Sequence, residues 1–201
     1  MRYLIAGGGT GGHIIPAVNI ASALNKLDTN TQFLFIGTEK GLENDIIPDL
    51  GFELVMIDAE PWRGIRSLKN LLHSSCQVLK IIRNFKADAL IGTGGYVSAP
   101  AALASAYKRI PLFIQEQNAY PGLASKLGSI FARRIFLGFP DAKQFLWRKS
   151  KTVFSGNPVV LALKDFDSAS ARRNLNLDPN IRTILLTGGS QGASALNEIM
   201  K

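Results

Sequence analysis

The chain has 201 residues, 46% apolar and 19% charged, with a net charge of +8 and a pI near 9.8. This composition excludes a disordered chain, and the length allows one well-packed domain, or one domain and the beginning of another. A basic surface favours an anionic partner such as nucleic acid, acidic lipid or a phosphorylated ligand, without choosing among them. The single cysteine, Cys76, excludes a disulfide within the chain and is expected as a small buried hydrophobe on a helix. Met1-Arg2 runs straight into a strand followed by glycines, unlike a secretory signal. No apolar run reaches the length of a membrane span, so any membrane contact is expected to be peripheral.

In chain order, the apolar runs are Tyr3–Ala6, Gln32–Ile36, Phe52–Ile57, Ala89–Ile91, Leu112–Gln115, Ile135–Leu137, Thr152–Phe154 and Thr183–Thr187. Most are short and β-branched or aromatic, as buried strands are. Helical patterns lie between them. Ala17, Ile20, Ala21, Leu24 and Leu27 share one helix face, and Leu68, Leu71, Leu72, Leu79 and Ile82 do the same behind Ser67, a suitable N-cap. Strand–helix alternation predicts an α/β fold, a Rossmann-like doubly wound parallel sheet with helices on both faces. The alternation changes after Gly156-Asn157-Pro158. Residues 1–158 are therefore expected as one nucleotide-binding-type domain and 159–180 as an interdomain connection with a short helix. Residues 181–201 then open a second strand–glycine loop–helix unit through Gly188-Gly189-Ser190-Gln191-Gly192-Ala193.

The first glycine loop, Gly7–His13, reads GGGTGGH after a strand. Glycines permit a tight turn and let backbone N–H groups approach phosphate at a helix start. A dinucleotide site needs an acid at the end of the second strand for the ribose, but that strand ends Phe35-Ile36-Gly37-Thr38 and the first acid is Glu39. A kinase-type P-loop needs Lys-Ser/Thr after its last glycine, where His13-Ile14 stands. The second loop, Gly92-Thr93-Gly94-Gly95-Tyr96-Val97-Ser98-Ala99-Pro100, also follows a strand. Two phosphate-suited loops at the carboxyl ends of parallel strands suggest a diphosphate, with the glycines Gly9, Gly94 and Gly95 around it. The third feature, Gln115-Glu116-Gln117-Asn118-Ala119-Tyr120-Pro121-Gly122, gathers amides and a carboxylate where sugar hydroxyls could be read.

His13 stands at a helix N-terminus, which disfavours its cation and suits a neutral, proton-accepting imidazole. His73 has no partner in the pattern and is assigned no role. The segment Trp62–Leu72 mixes aromatic, aliphatic and basic side chains, and is either a surface for anionic lipid headgroups or a solvated loop leading into a core helix. No cluster with metal-ligand spacing is visible, and no metal or cofactor is expected.

GGGTGGH, GTGGYVSAP, QEQNAYPG, GNPV and GGSQGA together resemble, in order and near spacing, the MurG family of glycosyltransferases, over the whole chain. The resemblance implies the GT-B fold, with this chain as its N-terminal half plus the first strand–loop–helix of the second half. It implies transfer of N-acetylglucosamine from UDP-N-acetylglucosamine to undecaprenyl-diphosphate-linked N-acetylmuramyl-pentapeptide, a step of peptidoglycan synthesis serving cell shape and division. It places Thr10, Gly11, Gly12, Asn118 and Ser190 on the donor, and His13, Tyr96 and Glu116 near the reacting sugars or the acceptor diphosphate. The expected reaction is metal-independent and inverting, with His13 the first choice of base and Glu116 the second. The expected partners are the two substrates and an anionic membrane surface at the cytoplasmic face of the bacterial plasma membrane, and no nucleic acid. Val160 stands where the family usually has an arginine on the donor, and an aliphatic side chain supplies no charge-assisted bond to phosphate. The rival readings are a non-catalytic module that only holds the acceptor lipid or a partner, and a nicotinamide-dependent oxidoreductase.

Overall fold

The computed structural model describes residues 1–64, 67–159, 167–186 and 194–199. The chain divides into two compact units, Met1–Val159 and Val160–Lys201.

The first unit carries seven strands: β1 (Arg2–Gly7), β2 (Gln32–Gly37), β3 (Glu53–Met56), β4 (Ala89–Gly94), β5 (Leu112–Glu116), β6 (Arg134–Leu137) and β7 (Thr152–Phe154). They form one parallel sheet in the order β3-β2-β1-β4-β5-β6-β7. Five helices connect them: α1 (Gly11–Leu27), α2 (Glu43–Asp49), α3 (Ser67–Phe85), α4 (Ser98–Lys108) and α5 (Leu123–Phe131). Two 3-10 turns, Pro140–Phe145 and Lys149–Lys151, lead from β6 to β7.

Strand alternation builds a core on each face of the sheet. Ile5, Phe35 and Ile91 pack with Ile14, Ala17, Val18 and Ala21 of α1 and Ile47 of α2. Their neighbours Leu4, Ala6, Ile36 and Leu90 turn the other way, onto Val78 and Ile82 of α3 and Ala101, Ala102 and Ala104 of α4. This is the doubly wound arrangement expected from the alternation. The strand order reverses between β1 and β4, so the loops after these two strands flank the switch point where such folds bind ligands.

Four local expectations are corrected. Cys76 is exposed: α3 buries Ser74, Ser75, Val78 and Ile82, and about 100° of turn per residue carries Cys76 to the other side. Leu68 and Leu72 are exposed too, because the first turns of α3 extend past the core that its second half covers. Leu27 ends α1 exposed. Ser67, expected as the N-cap, is instead the first residue of α3, and its Oγ accepts a bond from Arg63 N at 2.8 Å, fixing the incoming loop.

The second unit has the short helix α6 (Ser168–Asn174) and the helix α7 (Ser194–Ile199). Asp167 caps α6, accepting from the N–H groups of Ala169 and Ser170 at 3.1 and 3.0 Å. The Ser170 hydroxyl, and after it these two N–H groups, hold the Asp167 carboxyl below its ordinary value. The strand expected at Ile181–Thr187 is not formed over residues 181–186. Among the described residues the second unit offers it no neighbouring strand to pair with, and a lone strand is not stable. Val160 and the loop Gly188–Ala193, with Ser190, lie outside the described residues.

Candidate active site

The first glycine loop ends in Thr10, whose extended backbone forms the N-cap of α1 without a side-chain cap bond. No acidic side chain occupies the first turn, so the positive end of this 17-residue helix carries no acidic side chain of its own. Thr10 and Gly12 are exposed and Gly11 has open space around it. The second loop stands alongside. Gly95 has φ +77°, and a Cβ there would run into the Gly8 carbonyl oxygen, so the two loops touch backbone to backbone. Gly94 has φ +106°, and a Cβ on it would fall 2.6 Å from His13 Nδ1.

Ser98, buried at the start of α4, joins the loops from below. Its Oγ accepts from Gly94 N at 3.1 Å and lies 2.8 Å from Ala6 O and 2.7 Å from Gly94 O, sharing its proton between the two carbonyls.

Glu43 completes the brace, and no sequence motif pointed to it. Its side chain is fully buried at the start of α2. Oε2 accepts from Gly9 N at 2.9 Å, while Oε1 accepts from Thr38 N at 3.0 Å and Thr38 Oγ1 at 3.2 Å. Gly8, Gly37 and Gly41 crowd the same side chain, and a Cβ on any of them would strike it, at Cγ for Gly37 and at the carboxylate for the other two. Tyr96 Oη is 3.0 Å from Thr38 Oγ1. Since the Thr38 proton goes to Glu43, Tyr96 is the donor of that bond. One buried carboxylate therefore ties the turn after β2 to both glycine loops, and it occupies the Gly9 N–H as an anion would.

His13 sits in the first turn of α1 between the two loops. Its Nδ1 is 3.1 Å from Thr93 O and 3.2 Å from Gln117 Oε1. Thr93 Oγ1 donates to His13 O at 2.8 Å, fixing the backbone below the ring. His13 lines a cavity of about 270 Å³ with Gly94, Gly95, Tyr96 and Glu116. The far wall comes from Trp62, Leu71 of α3 and the start of α5.

Glu116 is buried at the end of β5. Its Oε1 accepts from Asn118 N at 2.9 Å and Asn118 Nδ2 at 3.0 Å, which holds the β5–α5 turn closed. Asn118 itself is exposed. Thus the residues assigned to the reaction and to the acceptor diphosphate (His13, Glu116, Gly94, Gly95 and Tyr96) share one cavity, with Gly9 packed against Tyr96. Thr10, Gly11, Gly12 and Asn118, assigned to the donor, are not among its lining residues. Among the described residues no group of His, Cys, Asp and Glu is arranged to hold a metal ion. His73 lies 3.4 Å from Asp58 at the surface, away from this cavity's lining.

The comparisons with known proteins agree with this fold. Residues 3–137 match the glycosyltransferase family 28 N-terminal domain. The chain belongs to glycosyltransferase family 28. It is 41% identical to the UDP-N-acetylglucosamine–N-acetylmuramyl-(pentapeptide) pyrophosphoryl-undecaprenol N-acetylglucosamine transferase of Caldanaerobacter subterraneus subsp. tengcongensis, over 100% of this chain and 57% of that protein. It is 37% identical to the protein of the same name from Acetivibrio thermocellus, over 98% of this chain and 55% of the relative. The crystal structure of Acinetobacter baumannii MurG superposes with a TM-score of 0.74 at 27% identity, covering 98% of this chain and 55% of that one. The chain thus spans somewhat more than half the length of the curated relatives it matches.

Proposed function

We propose that the protein carrying this chain transfers N-acetylglucosamine from UDP-N-acetylglucosamine to undecaprenyl-diphosphate-linked N-acetylmuramyl-pentapeptide. The observation that supports this most is the placement of His13: at a helix N-terminus, between two glycine loops at the switch point, in the same cavity as Glu116. The acceptor C4 hydroxyl attacks the anomeric carbon of the donor sugar while His13 takes the hydroxyl proton. The bond to UDP breaks, UDP leaves with its electron pair, and the anomeric configuration inverts. Backbone N–H groups of the glycine loops and the α1 N-terminus bind the diphosphates, Gly94, Gly95 and Tyr96 on the acceptor side and Thr10, Gly11, Gly12 and Asn118 on the donor side. Residues 1–158 serve as the acceptor-binding domain, 159–180 as the connection and 181–201 as the start of the donor half, with Ser190 in its loop.

The same reading extends to the membrane. No helix among the described residues is long and apolar enough to cross a bilayer. Trp62, Leu68 and Leu72 are 48%, 45% and 56% exposed, and the basic Arg63 and Lys69 beside them are exposed as well. Trp62 also lines the cavity, so a lipid-linked acceptor can reach it from an anionic surface at the cytoplasmic face of the plasma membrane. Radiolabelled sugar transfer by the full gene product, with UDP release, tests the reaction, and absence of transfer with both substrates present contradicts it. Replacing His13 by Ala is expected to slow transfer about 10²- to 10⁴-fold.

A further inference from the structure

The β5–α5 turn contributes a second feature: a run of side-chain amides that ends on the ring of His13. Gln117 Nε2 donates to Thr93 O at 2.8 Å and to Gln115 O at 3.1 Å, and also contacts Gln115 Oε1. All three partners are oxygens, so this end of the amide is the NH2, and its Oε1 necessarily points toward His13. His13 Nδ1 then faces two acceptors, Thr93 O and Gln117 Oε1, and no donor among the described residues. An imidazole nitrogen between two acceptor oxygens carries the proton.

Gln115 is itself held. Its side chain is buried, and its Nε2 donates to Asn157 Oδ1 at 3.2 Å. Asn157 returns the contact by donating from Nδ2 to Gln117 O at 3.2 Å. Asn157 also packs against Gly138, where any Cβ would displace it. The amide run therefore starts two residues before the end of the first unit and finishes at the imidazole.

We propose that Gln117, oriented by Gln115 and Asn157, is a positioning residue that fixes neutral His13 as the Nδ1–H tautomer and leaves Nε2 as its proton-accepting atom. This rests on the reading of His13 as the base. Water favours the opposite, Nε2–H, tautomer of a histidine side chain, in which Nε2 has no lone pair to offer. Gln117 and Thr93 reverse that preference. The arrangement parallels the general rule that the hydrogen bond on one ring nitrogen sets the chemistry of the other.

The test is nitrogen-15 NMR of the 201-residue chain at alkaline pH, where imidazole is neutral. The chain has two histidines, and His73 serves as the internal reference. The wild-type His13 signals are expected at the positions of a protonated Nδ1 and an unprotonated Nε2. Gln117→Leu is expected to bring in the Nε2–H form while the His73 signals stay in place. Gln117→Met, close in size and without an acceptor oxygen, is expected to do the same. In the full gene product, Gln117→Leu is expected to lower kcat about tenfold with little change in the donor KM, as for loss of base orientation. A wild-type His13 that is mainly Nε2–H overturns the proposal, as does a tautomer ratio that Gln117→Leu leaves unchanged. Should Gln117→Leu fail to fold, the Gln117→Met spectrum decides the matter in its place. The base assignment fails separately: Nδ1–H in the spectrum, with His13→Ala transferring at the wild-type rate, removes the base role and leaves the tautomer assignment standing.

Discussion

The turns after β2 and β5 each bury a carboxylate, and the two do different work. Glu43 accepts three bonds, two from Thr38 in its own turn and one from Gly9 in the distant first glycine loop, and it is not among the residues that line the cavity. Glu116 accepts two bonds from a single neighbour, Asn118, and faces the cavity. Burial and hydrogen bonding alone therefore do not mark a reacting group at this sheet edge. What separates them is access: Glu43 holds the glycine loops in shape from behind, whereas Glu116 lines the same cavity as His13.

The comparison breaks most visibly at Glu43. Glu43→Ala leaves Gly9 N, Thr38 N and Thr38 Oγ1 without their acceptor, and is expected to cost about 3 kcal/mol of folding stability, or about 10 °C in Tm. Thermal unfolding followed by circular dichroism checks this, and an unchanged Tm would remove Glu43 from the brace. Gly95→Ala ranks next, at about 2 kcal/mol, because a Cβ at φ +77° meets the Gly8 carbonyl. Chemical denaturation measures that cost. Replacing both Leu68 and Leu72 by Ser is expected to weaken sedimentation with anionic vesicles about tenfold while leaving Tm within about 1 °C, since both side chains are already exposed.

The smallest effect is expected at Glu116, and it sharpens the contrast. Glu116→Gln keeps an oxygen for Asn118, so the turn stays closed and the transfer rate falls less than about tenfold. A loss of about a thousandfold in this variant, with Tm preserved, would move the base role from His13 to Glu116.

The sheet was legible in the sequence because each strand is a short apolar run closed by glycine or polar residues, and all seven runs of the first unit became strands. The place of both glycine loops at strand ends was legible for the same reason, whereas the reversal of strand order between β1 and β4 needs the structure. Glu43 was not legible. It is one of four acids between Glu39 and Asp49, and its partner Gly9 lies 34 residues away. Only the crowding of Gly8, Gly37 and Gly41 around one side chain reveals it, and that needs coordinates. A trace was present in the glycines at 37 and 41 that bracket the approach to an acid at a helix start. Gln117 stood inside a recognised motif, yet which way its amide points depends on Thr93 and Gln115, on two different strands. Leu68 and Leu72 were misplaced because helical periodicity says which residues share a face, not how far along the helix the core extends, whereas Cys76 was placed by residue type and falls off the face that Ser75, Val78 and Ile82 share.

The most direct measurement compares transfer of radiolabelled N-acetylglucosamine to the lipid-linked acceptor by the full gene product and by its His13→Ala variant, with the Tm of each recorded alongside. The geometry predicts transfer with stoichiometric UDP release by the wild type, and a rate about 10²- to 10⁴-fold lower in a variant that melts at the same temperature. Acceptor binding without any transfer by the wild type, or equal rates in the two proteins, would contradict it.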